Sequence, residues 1–214
     1  MVDPFTTPLL TPEETARHLQ LPVTTLRGWT KEKAAGAPLV HTIAGRTRGH
    51  PNVPFVAVIE AYVLRSLREL RLSTHKIRAA AEEVRRSFAT PYGLATRRIA
   101  TDGIDVFMDY IEADELARVG DGQRPIRATI ENYLKYIVWD EAEEFPSRLK
   151  LRQYPDIAPV IIDPRFGWGA PVLERTKVPV DAVVGLWRAG EPIALIADEY
   201  ELTTDEVDAI TRAA

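Results

Sequence analysis

From the N-terminus, apolar and polar positions first fall into two short helical runs. Thr11-Pro12-Glu13-Glu14 has each residue of a helix start in place: Thr11 to cap, Pro12 where no amide is needed, and Glu14 to complete a capping box. Ala16 and Leu19 supply the inward side of this helix. Gln20-Leu21-Pro22 interrupts the pattern, which resumes from Val23 to Lys31 with Val23, Leu26 and Trp29 or Thr30 inward. Thr24, Arg27, Gly28 and Lys31 recur at the i, i+3, i+4, i+7 spacing of one outer stripe. Val40 to Ala44 then alternates as a strand does, Gly45-Arg46-Thr47-Arg48-Gly49 reads as a basic hairpin tip, and His50 to Val53 leads out of it. Pro54 opens a long helix with Phe55, Val58, Ile59, Tyr62, Val63, Leu67 and Leu70 as its stripe. Ser73 caps another, with Ile77, Ala80, Ala81, Val84 and Phe88 on one side; Lys76, Arg78, Arg85 and Arg86 on the other read as a solvated face. Thr90-Pro91-Tyr92-Gly93 breaks the pattern.

Beyond this break the rhythm is mixed. Arg97 to Ala100 and Val106 to Ile111 read as strands around the turn Thr101-Asp102-Gly103, Ile126 to Leu134 as a helix, and Tyr136 to Trp139 and Arg148 to Leu151 as further strands. Val160-Ile161-Ile162 is an apolar strand ended by Asp163-Pro164, and Phe166-Gly167-Trp168-Gly169 reads as a tight turn. Next come a helix carrying Val183, Val184, Leu186 and Trp187, another carrying Ile193, Ile196, Ala197 and Tyr200, and a third announced by the capping box Thr203 with Glu206 and the staple Leu202 against Val207. The pattern predicts a mainly α chain with small β elements (α+β) in three parts. These are a winged helix-turn-helix over 1–90, a small α+β unit over 95–154, and a β-hairpin plus three-helix helix-turn-helix over 158–214.

Charge sharpens this division. Met1 to Thr90 holds 13 Lys and Arg against 8 Asp and Glu, whereas Pro91 to Ala214 holds 14 against 23. The basic part suits phosphate, and the acidic remainder suits a protein partner. The absence of cysteine removes disulfides, thiolate zinc sites and cysteine nucleophiles, and agrees with a reducing compartment. No apolar run approaches the ~20 residues of a membrane helix, so a soluble, cytoplasmic protein is expected.

The chemistry that stands out is recognition. On a second helix entering the major groove, Arg27 suits guanine edges while Thr24, Thr25 and Lys31 suit the groove and its phosphates, with Arg46 and Arg48 on a wing beside it. Asp102, Asp105, Asp109, Glu112, Asp114 and Glu115 are dense but match no calcium loop and read as surface charge. His18, His41, His50 and His75 are dispersed, and there is no nucleophile elbow or phosphate loop. Neither a catalytic residue, a metal site nor a cofactor is predicted. The last helix carries Asp205, Glu206 and Asp208 against Arg212, the wrong sign for phosphate.

The Thr25-Leu26-Arg27-x-Trp29 run, the basic hairpin and the long helix after it resemble the MerR-like winged domain that opens one class of VapB antitoxins. A stronger likeness covers the C-terminal part. Asp163-Pro164, Gly169 with Pro171-Val172, Thr176 with Val178-Pro179-Val180, Ala189-Gly190-Glu191, and Ile196-Ala197 with Tyr200 and Leu202-Thr203 are similar to a helix-turn-helix family of unassigned function linked to VapB antitoxins. Arg175 departs from the glycine usual before that threonine. The resemblance implies an antitoxin that neutralises a PIN-domain ribonuclease toxin and represses their shared operon by binding operator DNA, as a homodimer. Toxin contact is expected in the middle unit or over Phe145 to Pro159, where Arg148, Lys150 and Arg152 alternate along extended chain. The alternative is a stand-alone MerR-like regulator whose middle unit holds an effector; a metal-dependent nuclease built on the middle acids is a more remote third.

Overall fold

The structure, a computed structural model, describes residues 2–32, 36–44, 49–107, 123–140 and 143–213, with 123–126 described by backbone alone. The chain is mainly α with small β elements and divides into two compact units, Pro4–Ser147 and Arg148–Ala214 together with Met1–Asp3. Residues 95–147 thus fall within the first unit.

In that unit, α1 (Pro12–His18) and α2 (Val23–Trp29) precede the long helices α3 (Phe55–Glu69) and α4 (Thr74–Phe88). The predicted cap holds: the Thr11 hydroxyl accepts from the Glu14 amide at 3.1 Å, and the Thr11 amide donates to the Glu14 carboxylate at 2.8 Å. Burial of α3 exceeds a stripe, since Val56, Ala57, Ala61 and Leu64 are buried along with every predicted position but Leu70, the half-buried C-cap. It is a central helix, and α5 (Gln123–Leu134) packs on it with the Tyr62 and Tyr133 ring centroids 5.2 Å apart. Phe5 packs on Tyr92 at 4.9 Å and on Phe145 at 4.7 Å, and the Arg97 amide donates to the Glu144 carbonyl at 2.7 Å. These contacts are why the middle segment belongs to the first unit.

One strand expectation is overturned, and a second meets helix where it is described: Arg97–Ala100 is a 3₁₀ turn, and Val106 and Phe107 end a helical run over residues 102–107. Ile104 and Phe107 are buried while Asp105 is exposed, an i, i+3 burial that a short window mistakes for alternation. The remainder of the second predicted strand lies outside the described residues. Nor do residues 40–44 form a ladder: the Leu39 and Val40 amides donate to the Trp29 carbonyl at 2.8 and 3.1 Å, and the His41 amide donates to Glu60 at 2.9 Å. With those donors engaged, the Ile43 amide donates to the Asn52 carbonyl at 2.8 Å. Val53 pairs instead with Leu10.

Glu60 has no exposure to solvent, and its carboxylate meets His41 Nδ1 at 2.8 Å and Arg85 at 3.4 Å. Arg85 also donates to the carbonyls of Pro38 at 2.9 Å and Leu39 at 2.8 Å, and Arg78, itself buried, donates to that of Ala37. The basic side of α4 is therefore not the solvated face its sequence predicts. Two of its arginines hold the segment that follows α2. A short strand, β1 (Ile137–Val138), lies late in this unit.

The C-terminal unit opens with an antiparallel meander. β2 (Arg148–Lys150) pairs with β3 (Val160–Ile162) in the register Leu149 with Ile162, and β3 pairs with β4 (Val172–Leu173) in the register Ile161 with Val172. Three helices follow: α6 (Val180–Arg188), α7 (Ile193–Glu199) and α8 (Thr204–Ala213). The Thr203 hydroxyl accepts from the Glu206 amide at 3.1 Å, and the Thr203 amide donates to the Glu206 carboxylate at 2.7 Å, as the capping box predicts. Arg175 donates to the Glu201 carbonyl at 2.9 Å and pairs with Glu206 at 3.1 Å, so the residue that departs from the usual glycine ties the β4 turn to the α7–α8 turn.

Two outcomes are expected. Glu60→Ala leaves His41 and Arg85 without their buried carboxylate and lowers unfolding stability by about 3–5 kcal/mol in urea titration; a loss under about 1 kcal/mol contradicts the assignment. Desolvation raises the Glu206 pKa, but the hydrogen bonds from Thr203 and Arg175 outweigh it and hold the carboxyl below its ordinary value. A group depressed in the folded state contributes stability above its unfolded pKa and loses it as pH falls through the folded one. Glu206→Gln is therefore expected to flatten the acid limb of the stability profile below the usual glutamate range, and an unchanged limb contradicts this.

Candidate nucleic-acid interface

Leu26 and Trp29 are buried, which fixes α2 by its inner side and turns Thr24 and Arg27 outward; both are exposed, as is Lys31 just past the end of the helix. Between them Gly28 is open, with no atom within 4 Å of where a Cβ would stand, so a ligand backbone has room to approach. Thr25 is half-buried, and its hydroxyl accepts from Arg68 of α3. Of the outer stripe read from periodicity, Thr24, Arg27 and Gly28 lie on α2, and Lys31 lies past its end.

Arg27 is not idle on that surface. Its Nε donates to Glu13 of α1 at 2.8 Å, and the pair is nearly half-exposed at both ends. An exposed pair of this kind contributes at most about 1 kcal/mol. A phosphate or a guanine edge can displace the carboxylate at small cost, and the pair meanwhile keeps the guanidinium close to the helix. This mixed environment was not visible in the sequence stripe, because Glu13 lies on another helix.

Two further arginines were missed by sequence reasoning. Arg65 donates to the Leu19 carbonyl at 2.7 Å and to Gln20 at 3.3 Å, clamping the turn between α1 and α2, where Gln20 takes a left-handed conformation. Exposed Arg68 adds charge beside Thr25. Their i, i+3 spacing on the polar side of α3 was the available signal. Arg46 and Arg48 of the hairpin tip lie outside the described residues, as do Asp109, Glu112, Asp114 and Glu115. Of the remaining acids of that group, Asp102 pairs with Arg98 at 3.5 Å and Asp105 with Arg127.

The second group of predicted site residues stands in the C-terminal unit. Arg148 and Lys150 share the half-exposed face of β2, with Leu149 buried on the other, and both meet Glu174, at 3.6 and 3.0 Å. Arg152 is exposed beyond the strand. On α8, Asp205 is exposed and Asp208 half-exposed, and Arg212 pairs with Asp208 at 2.9 Å. The two helix-turn-helix elements therefore present opposite charge. Among the described residues, no helix is long and apolar enough to cross a membrane.

Comparison with known proteins matches both elements. Residues 8–81 match the family described as "Putative DNA-binding HTH domain", and residues 160–212 match "Protein of unknown function (DUF433)". The chain is 31% identical to the Mycobacterium tuberculosis protein named "Putative antitoxin VapB45", over 95% of this chain and 92% of that protein. It is also similar to the crystal structure of Rv2018 from Mycobacterium tuberculosis, with 29% identity, a TM-score of 0.79 and coverage of 97% of this chain and 99% of that one. Likeness over nearly its whole length, with a helix-turn-helix family at one end and the DUF433 family at the other, shows that the chain belongs to the VapB-type antitoxin family.

Proposed function

We propose that this protein binds and neutralises a PIN-domain ribonuclease and, bound to operator DNA through its first helix-turn-helix, represses the operon that encodes the pair. The observation that carries the DNA half is exposed Thr24 and Arg27 on a helix whose inner side is buried, with exposed Lys31 just past its end and Arg68 bonded to Thr25. Arg46 and Arg48, expected from the sequence on a wing, add phosphate contacts in this reading. Arg27 reads a base edge, and the others fix register on phosphates. Two-fold operators are read by dimers, and the protein acts as a homodimer.

For the toxin half, support comes from the family and from the basic face of β2. Arg148 and Lys150 stand on one side of a strand, with Arg152 beyond it, and a carboxylate-lined ribonuclease site complements that charge. Glu174 keeps the two strand cations oriented in the free protein. The chain's role is inhibition, and it needs neither cofactor nor catalytic group of its own.

Arg27→Glu with Lys31→Glu is expected to abolish binding to DNA from upstream of the chain's own reading frame. Removing a single phosphate contact, as in Lys31→Ala, flattens the slope of log Kobs against log salt by about 0.9. Glu13→Gln releases Arg27 and should tighten binding at low salt; retained binding by the double reversal overturns the assignment of α2. Separately, the product of the adjacent reading frame should co-purify with the full chain, and its ribonuclease activity should fall on addition of the chain. An adjacent product that neither binds nor is inhibited favours the stand-alone regulator instead.

A further inference from the structure

The C-terminal unit carries an exposed knob and a groove that answers it. The connection from β3 to β4 projects Trp168, 81% exposed, with Phe166 beside it. Trp168 sits in the left-handed region, φ 52°, between Gly167 at 59° and Gly169 at 87°, a backbone that costs energy for any side chain and is kept where the surroundings fix it. A Cβ on Gly167 would come within 2.8 Å of Val172, so the backbone of the turn is packed down on the sheet beneath an indole that stands in solvent. Arg165 and Lys177 stand over the Phe166 ring at 5.8 and 5.0 Å, and Arg165 is fixed by buried Asp163 at 2.7 Å. The knob is aromatic and flanked by cations.

The connection from β2 to β3 leaves the sheet at the other end. With α8 it lines an open groove of about 500 Å³, whose walls are Ile157, Pro155 and Ala209 and whose charged residues are Asp205, Asp208 and Arg212, the last paired with Asp208. Ile157, 54% exposed, is an aliphatic wall left in water. The charges of the unit divide in the same sense. Residues 148–177 hold six Lys and Arg against three Asp and Glu, and 178–214 hold two against eight.

We propose that a second copy of this chain fills the groove: the Trp168 knob of each copy enters the groove of the other, with Lys177 facing Asp205. Because knob and groove lie at opposite ends of the sheet, two units set antiparallel satisfy both ends at once, and the contact closes as a two-fold dimer. This rests on the dimeric reading above and names its surface. An indole anchor in an apolar-walled groove with complementary charge around it is the composition of an interface hot spot. A single-stranded nucleic acid fits the knob less well, because it offers one projecting indole rather than a run of stacking platforms.

Sedimentation velocity of the full chain tests this. The wild type is expected to be a dimer that weakens in 1 M salt. Trp168→Ser is expected to raise the dimer dissociation constant by about thirtyfold or more with an unchanged far-ultraviolet circular-dichroism spectrum. Lys177→Glu and Asp205→Lys should each weaken the dimer, and the two together should restore it. A wild-type monomer overturns both the inference and the dimeric reading. A Trp168→Ser dimer as tight as wild type, or open-ended assembly, overturns the inference alone. Failure of the charge exchange to restore association overturns the pairing.

Discussion

A carboxylate with no access to water governs the N-terminal unit. Burying Glu60 in the middle of α3 is unfavourable unless its oxygens are fully engaged, and the groups that engage them are His41 and Arg85. His41 belongs to the segment that leaves α2, so the cost of an unpaired charge becomes a constraint on where that segment runs. Arg85 and Arg78 reinforce it by donating to the carbonyls of residues 37–39, which no helix or strand supplies with partners. Arg65 clamps the other end of α2 at the α1–α2 turn. The short helix that faces outward is thereby held at both ends by α3 and α4, and its seven residues need little stability of their own.

This explains what was legible in the sequence and what was not. Local chemistry was readable: the Thr11 and Thr203 capping boxes, the inward Leu26 and Trp29, and the strands at 148, 160 and 172 all follow from residue type and short-range spacing. Non-local pairing was not. Arg78 and Arg85 looked solvated because their carbonyl partners lie about forty residues away in sequence. The alternation of residues 40–44 predicted a strand, but Trp29 and Glu60 take the amides a ladder would use. Val106 and Phe107, read as the start of a strand, end a helical run instead, where the pattern is too short to separate period two from period 3.6. For the site, the exposed stripe of α2 was legible, while the Glu13 contact to Arg27 and the approach of Arg68 to Thr25 depended on helices meeting in space.

Two helix-turn-helix elements in one chain invite the assumption of two DNA readers. Their surfaces argue otherwise. α2 presents hydroxyl and guanidinium groups, the latter in an exposed pair with Glu13, with the Lys31 ammonium just past its end; α8 presents Asp205, with Asp208 and Arg212 paired to each other. Phosphate attracts the first face and repels the second, and neither fold nor family removes that difference. Exposed large apolar side chains follow the same division, since those among the described residues, Ile157, Phe166, Trp168, Trp187 and Leu195, all belong to the C-terminal unit. One unit is suited to nucleic acid and the other to protein.

The central claim is that division, and photo-crosslinking of the full chain to its upstream DNA, followed by peptide mapping, tests it most directly. Crosslinks are expected in residues 24–31 and 46–48, and none in 204–212. Crosslinks concentrated on α8, with residues 24–31 free of label, would contradict the account.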